Sequence, residues 1–213
     1  MLTLGLHCAG AFCDVALSEN GRIIGEMRET MTRGYDQRLP ILTESVVSSA
    51  GKTFKDIDRF AVCVGPGSFT GIRVGVAFAR GLALVNGSTA IGVSSLESMI
   101  ANPEDQIDVA ILPARQRLPD LSFWVQRFTR TVPDDPAEID ADKLEVHCAG
   151  IRRGVCSAEA LENAQSFAPE IDWHIAEAKA ANIALFAERN DAWRPATPVY
   201  VRAPDAIPAK PVV

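Results

Sequence analysis

The sequence predicts an α/β protein built on a mixed β-sheet, and three observations carry that prediction. The chain opens with three apolar strand segments, the second and third joined by Asn20-Gly21, the dipeptide that most strongly favours a two-residue hairpin turn. A short continuous apolar run, Phe60 to Val64, then enters a glycine-rich turn and a long apolar helix. A further strand follows that helix. The order βββαβαβ combines antiparallel hairpins with crossover helices, the pattern of a mixed sheet covered by helices.

The first two strands cover Leu2 to Cys8 and Phe12 to Ser18, separated by a tight Ala-Gly-Ala turn. The third covers Arg22 to about Arg28. A helix follows with Pro40 in its first turn, where a missing N–H costs least. Leu39, Leu42, Val46 and Ala50 recur every three or four residues on one face of it. The long helix runs from Phe69 to about Val85. Thr89 to Val93 is the next strand, and Ser94 or Ser95 caps a short helix near Leu96.

Composition turns polar at Asn102-Pro103-Glu104-Asp105, which divides the chain into residues 1–101 and 102–213. In the second part Asp108 to Leu112, Leu121 to Thr131 and Leu144 to Ala149 read as strands, and residues 132–136 as a loop. Helices are expected over Ala158 to Phe167 and Ala176 to Arg189. The last 19 residues hold five of the 13 prolines, so only Pro198 to Arg202 reads as an ordered strand there. No internal sequence repeat is visible.

The chain has 213 residues, 47% of them hydrophobic and 23% charged, a balance that builds a globular core and excludes disordered and collagen-like classes. A formal charge of −6 argues against a protein that grips a phosphate backbone by itself. Five cysteines, an odd number scattered through apolar runs, read as reduced, buried thiols of a cytoplasmic protein rather than a disulfide framework. The apolar stretch Phe69 to Val85 is shorter than the roughly 20 residues of a membrane span and contains Arg73 and Arg80, so no membrane association is expected.

The most informative segment is Gly65-Pro66-Gly67-Ser68-Phe69-Thr70-Gly71-Ile72-Arg73-Val74-Gly75. Gly65 and Gly67 permit positive φ or close backbone approach, Pro66 fixes the turn, and Ser68 or Thr70 caps the helix start. Such a turn either cradles an anion or is purely structural. Its spacing matches neither the dinucleotide-binding fingerprint nor a phosphate-binding loop. Within the helix, Gly71, Gly75 and Ala79 recur every four residues as a flat stripe. Ile72, Val76 and Ala83 form a second stripe, and Val74, Phe78, Leu82 and Val85 a third. A helix apolar nearly all round is covered on more than one side. One side packs on the sheet; the other meets either a second layer of the same chain or another chain.

The segment GPGSFTGIRVG resembles the signature of the TsaB (YeaZ) family of bacterial threonylcarbamoyladenosine biosynthesis proteins. Gln37-Arg38-Leu39-Pro40, Gly92-Val93-Ser94-Ser95-Leu96 and Pro198-Val199-Tyr200-Val201-Arg202 are similar to other parts of that family. The resemblance implies an actin-like ATPase (ASKHA, ribonuclease H-like) fold of two related α/β lobes with mixed sheets, the second lobe shortened. It implies a noncatalytic scaffold subunit that binds and activates a TsaD-type catalytic subunit. That subunit adds threonylcarbamoyl to adenosine-37 of tRNAs reading codons that begin with A. A TsaE-type ATPase joins the complex, tRNA is met only through it, and the chain alone self-associates through a similar surface. The partner-binding residues expected from the two helices are Leu39, Leu42, Val46, Gly71, Val74, Gly75, Phe78, Ala79 and Leu82. The signature loop is Gly65, Pro66, Gly67, Ser68, Phe69 and Thr70.

Catalytic chemistry is sparse. The three histidines, His7, His147 and His174, include no His-x-x-x-His pair that presents two metal ligands on one helix face. Where relatives carry an acidic residue in the first strand this chain has His7 and Cys8, and it has Pro113-Ala114-Arg115 in place of Asp-Ala-Arg. No catalytic residue, metal or cofactor is therefore expected on this chain alone, and ATP or ADP is expected only at a composite site in the complex. The competing reading is a small nucleotide-dependent enzyme acting in its own interlobe cleft.

Overall fold

The computed structural model describes residues 1–31, 33–100, 106–117, 119–129, 132–189 and 194–201. The opening meander forms as expected: β1 (Leu2–His7), β2 (Phe12–Glu19) and β3 (Arg22–Thr30) pair antiparallel in sequence. Asn20 and Gly21 both take positive φ, 52° and 78°, which is what a tight turn matching the strand twist demands. Helix α1 (Tyr35–Ser49) leads to β4 (Arg59–Cys63), which pairs parallel to β1. Helix α2 (Phe69–Val85) then crosses to β5 (Ala90–Val93), parallel to β4.

Helix α1 starts earlier than Pro40 suggested. The buried Tyr35 anchors its first turn through a hydroxyl that donates to the carbonyls of Gly10 (2.7 Å) and Met31 (3.0 Å). Pro40 is therefore the sixth helical residue, and its missing N–H leaves the Asp36 carbonyl without an intrahelical partner.

The second sheet repeats the plan of the first. Strands β6 (Val109–Arg115), β7 (Ser122–Thr129) and β9 (Ala137–Asp140) form an antiparallel meander, with the two-residue β8 (Val132–Pro133) also on β7. On the other side of β6 lie β10 (Arg153–Cys156) and β11 (Asp172–Ile175), both parallel. The sheet orders are β12-β5-β4-β1-β2-β3 and β11-β10-β6-β7-β8, with β9 on β7. The topology is thus duplicated although the sequence is not. The second copy is reduced: α3 (Leu144–His147) and α4 (Leu161–Phe167) have 4 and 7 residues, against 15 and 17 for α1 and α2.

After β11 the chain returns to the first sheet. Helix α5 (Ala180–Arg189) covers the face opposite α1 and α2, and β12 (Arg194–Pro195) pairs antiparallel with β5. Gly5 makes this possible, because a Cβ there would meet the Ala184 amide at 2.9 Å. Asp14 on β2 accepts the Ala180 amide (2.9 Å) and so caps the start of α5. The division expected at residues 101 and 102 leaves out this return; the polar stretch that suggested it, residues 102–105, lies outside the described residues.

Three other expectations fail. Leu144 to Ala149 is not a strand: a 3-10 turn (Ala141–Lys143) continues into α3, burying Leu144 and Cys148, four apart, while Val146 is 79% exposed. Residues 132–136 are not wholly loop, since β8 bonds to β7. Pro198 to Val201 forms no strand and makes one sheet-like bond, from the Val199 amide to the Val64 carbonyl (2.8 Å); Arg202 lies outside the described residues.

The larger core cluster fills both faces of the first sheet and includes Leu4, Leu6, Val15, Leu39, Phe60, Val62, Ile72 and Ile183. A second lies under α3 and α4, and a small third one, Leu96, Met99, Ala110, Phe128 and Val155, joins the two sheets. Between them runs a buried polar network. The Glu97 carboxylate accepts the Ser94 amide (2.7 Å), Gln126 Nε2 (3.0 Å) and Arg194 Nη1 (2.9 Å to each oxygen). Ser94 Oγ in turn accepts the Glu97 amide (2.9 Å), so the two residues form a reciprocal capping box at the 3-10 turn Glu97–Met99.

Candidate functional site

The signature loop is a structural clasp. Gly65 has φ of 100°, a conformation that favours glycine, and precedes a cis peptide bond to Pro66. A Cβ on Gly67 would sit on the Ala9 carbonyl, well under 3.0 Å, because the loop closes directly onto the turn between β1 and β2. The Ser68 amide donates to that same carbonyl (2.7 Å). Ser95 reinforces the loop from the far side, its amide donating to Gly65 O (2.9 Å) and its hydroxyl to Pro66 O (2.6 Å).

At the helix start Ser68 acts as the N-cap, its Oγ accepting the Gly71 amide (3.2 Å), while the Ile72 amide bonds to Ser68 O (2.9 Å). The amides of Ser68, Gly71 and Ile72 are thus committed within the chain. Of the two roles open to this turn, the geometry supports the structural one. Phe69, 44% exposed, and the exposed Thr70 are the loop residues that face outward.

The nine residues expected to bind a partner separate into two groups. Leu39, Leu42 and Val46 of α1 are buried against β2 and β3, and Gly71, Gly75 and Ala79 of α2 are buried against the chain's own sheet. The flat stripe of α2 lets that helix approach the backbone at Cys8 and the side chain of Val62, so it does not receive a second chain. Leu42, Val46, Gly71, Gly75 and Ala79 are therefore core residues, whereas Leu39, though buried, also lines the space between the two helices. Val74, Phe78 and Leu82 differ: they are half-buried and line the space between α1 and α2.

That space is a groove of about 500 Å³, lined by Asp36, Leu39, Pro40, Val74, Ala77, Phe78, Gly81, Leu82 and Val85. Leu39 forms its floor. Asp36 at one end is the charged lining residue; the rest are apolar or glycine. Beside it Ile41 is 49% exposed and Val85 86% exposed. A run of apolar side chains left half-open beside a groove marks an interaction surface rather than ordinary surface scatter. Ala77, Gly81 and Pro40 were not among the partner-binding residues expected from the sequence. Ala77 and Gly81, four residues apart, share one face of α2 beside Val74 and Phe78.

Little in the rest of the chain offers chemistry. His7 is buried, and burial with the nearby Arg28 cation lowers its pKa from 6.5 to about 4, which keeps the ring neutral. Its Nδ1 has no partner among the described residues. Cys8, whose Sγ lies 3.9 Å from that of Cys13, is pushed well up by that contact and by burial. All five cysteines are buried and free; burial raises Cys63, Cys148 and Cys156 to about 11, whereas the contact with Cys8 lowers Cys13 against the opposing effect of burial. Among the described residues no group of three or more His, Cys, Asp or Glu side chains could hold a metal ion, and no helix is long and apolar enough to cross a membrane.

Two sheets of matching topology, each with a meander followed by parallel strands, give the chain the two-lobed α/β fold of the actin-like ATPase (ASKHA) type. Solved structures agree: component A of the (R)-2-hydroxyglutaryl-CoA dehydratase of Acidaminococcus fermentans superposes with a TM-score of 0.55 at 10% identity, covering 87% of this chain and 97% of that one. YeaZ from Pseudomonas aeruginosa superposes with a TM-score of 0.71 at 20% identity, covering 93% and 99%.

Within the class, the resemblance to TsaB (YeaZ) stands. The chain is 36% identical over 99 residues to the tRNA threonylcarbamoyladenosine biosynthesis protein TsaB of Escherichia coli K12, over 46% of this chain and 42% of that protein. It is also 33% identical over 129 residues to the tRNA N6-adenosine threonylcarbamoyltransferase of Lawsonia intracellularis, over 53% of this chain and 36% of that protein. The family model of TsaD, tRNA N6-adenosine threonylcarbamoyltransferase, matches residues 22–117. The alignments thus span about two-fifths of these curated relatives, and the family-model match covers α1, the signature loop and α2.

Proposed function

We propose that this chain is a noncatalytic subunit of tRNA threonylcarbamoyladenosine biosynthesis, which acts in the cytoplasm by docking a TsaD-type catalytic subunit through the α1–α2 groove. The observation that carries the reading is the half-open apolar lining, Val74, Phe78 and Leu82, on a helix whose other side is already sealed against its own sheet. The sequence similarity to TsaB and to TsaD-type transferases supplies the pathway. Sequence similarity to the transferase over residues 22–117, which hold α1 and α2, gives both partners comparable helices, so a joint helix bundle is the natural contact. In this reading the TsaD-type subunit transfers threonylcarbamoyl to adenosine-37 of tRNAs that read ANN codons. A TsaE-type ATPase joins the pair, and ATP or ADP binds at a composite surface. tRNA is met through the assembly, in keeping with the chain's charge of −6.

Light scattering after size exclusion tests the reading, using this chain alone and mixed with the TsaD-type protein of the same organism. The expected result is a species at the summed mass of the pair. Two unmixed peaks, with and without ATP, would contradict it.

A further inference from the structure

Helix α2 carries a second outward feature beside the groove. Arg73 lies over the Phe69 ring, its guanidinium carbon 3.8 Å from the ring centroid, and its Nε donates to the Tyr200 hydroxyl (2.9 Å). The Phe69 and Tyr200 rings themselves meet at 5.4 Å between centroids. Phe69 is 44% and Tyr200 48% exposed, so the guanidinium is held between two rings at the surface. Such clamping removes rotamer freedom from Arg, and Arg73 itself is exposed.

No carboxylate pairs with Arg73 among the described residues, and α2 contains no Asp or Glu, its only charges being Arg73 and Arg80. Arg73 stands one turn before Ala77 on the stripe that continues to Gly81, and both of those line the groove. The clamped cation and the apolar groove therefore form one continuous surface along α2. Arginine and tyrosine at the edge of an apolar pocket are the residue types that concentrate binding energy at protein interfaces.

We propose that Arg73, positioned by Phe69 and Tyr200, is a specificity-determining contact that receives a carboxylate of the protein seated in the α1–α2 groove. This rests on the docking reading above and adds to it the chemistry of the partner surface: apolar where it enters the groove, acidic where it overhangs the N-terminal half of α2. A fixed guanidinium fork donates two parallel hydrogen bonds to a carboxylate, which sets orientation as well as affinity. The adjoining apolar groove and the chain's net charge of −6 favour a protein occupant over a nucleic acid.

The test is a binding titration of the full chain against the TsaD-type subunit at two salt concentrations, for the unaltered chain, Arg73→Gln, Arg73→Lys and Tyr200→Phe. Circular dichroism and urea unfolding first establish that each variant is folded. Arg73→Gln is expected to lose at least tenfold in affinity and to flatten the salt dependence. Arg73→Lys should retain the salt dependence while losing several-fold, because charge remains without the fork. Tyr200→Phe should lose a few-fold through the freed side chain. Unchanged binding by Arg73→Gln overturns this proposal and leaves the docking reading intact; absence of binding by the unaltered chain overturns both. If Arg73→Gln pairs normally but loses affinity for tRNA, the occupant is nucleic acid. If it shifts only self-association, the occupant is a second copy. Either result overturns the proposal.

Discussion

Two glycines of the same helix respond oppositely to the same substitution. At Gly71 an added Cβ would sit on the Cys8 carbonyl oxygen, well under 3.0 Å, and 3.0 Å from its carbon. Both sides of that contact are fixed. β1 is paired to β2 and β4, and the neighbouring Ala9 carbonyl is bonded to the Ser68 amide at 2.7 Å. Relief requires α2 to move away from the sheet, the overpacking situation that costs about 1–3 kcal/mol or more. The gain from replacing a helical glycine by alanine is at most about 1 kcal/mol, so Gly71→Ala should lose stability on balance, by up to about 2 kcal/mol. At Gly81 nothing lies within 4 Å of the added atom, and only the gain remains, roughly 0.5–1 kcal/mol. Urea unfolding monitored by circular dichroism, with an unchanged denaturant slope, reads both. The midpoints should separate in opposite directions from the unaltered chain. If the two variants agree within about 0.5 kcal/mol, α2 is not seated on the backbone at Cys8 and the burial argument fails.

Two further outcomes are expected. His7 has a folded pKa of about 4 against 6.5, so between those values the unfolded chain binds more protons and stability falls with acidification through that window, by roughly 3 kcal/mol at most. Asp14, raised by burial, works in the opposite sense at the acid end, and Arg28 lies in the same row; urea midpoints of His7→Gln against the unaltered chain from pH 7 to pH 4 isolate the histidine contribution, which should vanish in the variant. Arg194→Met leaves the buried Glu97 carboxylate without its cation and should cost about 3 kcal/mol in thermal or urea unfolding, since breaking a buried pair from one side exposes the full desolvation penalty.

The first 100 residues were legible because their signals are local and periodic. Asn20-Gly21 fixes a turn, Phe60 to Val64 is a short apolar run, and Phe69 to Val85 keeps a helical repeat throughout. The resemblance on the signature segment identified the class, but it could not assign faces. Gly71, Gly75 and Ala79 form a stripe suited to close approach, and sequence does not tell whether the approaching element is another helix or the chain's own sheet. The Cys8 carbonyl settles it.

The second half misled where tertiary contacts override pattern. Leu144, Val146 and Cys148 alternate as in a strand, yet Leu144 and Cys148 are the pair that the core buries. Strands β9, β10 and β11 are four residues each, too short for a period to declare itself, and their identity comes from registering beside β7, β6 and β10 respectively. The return of α5 to the first sheet depends on Gly5 and Asp14, residues 160 or more positions away from it in sequence.

The central claim is that the α1–α2 groove is the docking face, and the most direct measurement compares two aspartate substitutions in a binding titration against the TsaD-type subunit. Phe78→Asp places a charge in the groove, and Val146→Asp places one on α3, where the residue is 79% exposed and remote from the groove. With both variants shown to be folded, Phe78→Asp should lose at least tenfold in affinity, about 1.4 kcal/mol, and Val146→Asp should bind like the unaltered chain. Equal affinity for the two variants, or a loss confined to Val146→Asp, would place the partner elsewhere on the molecule.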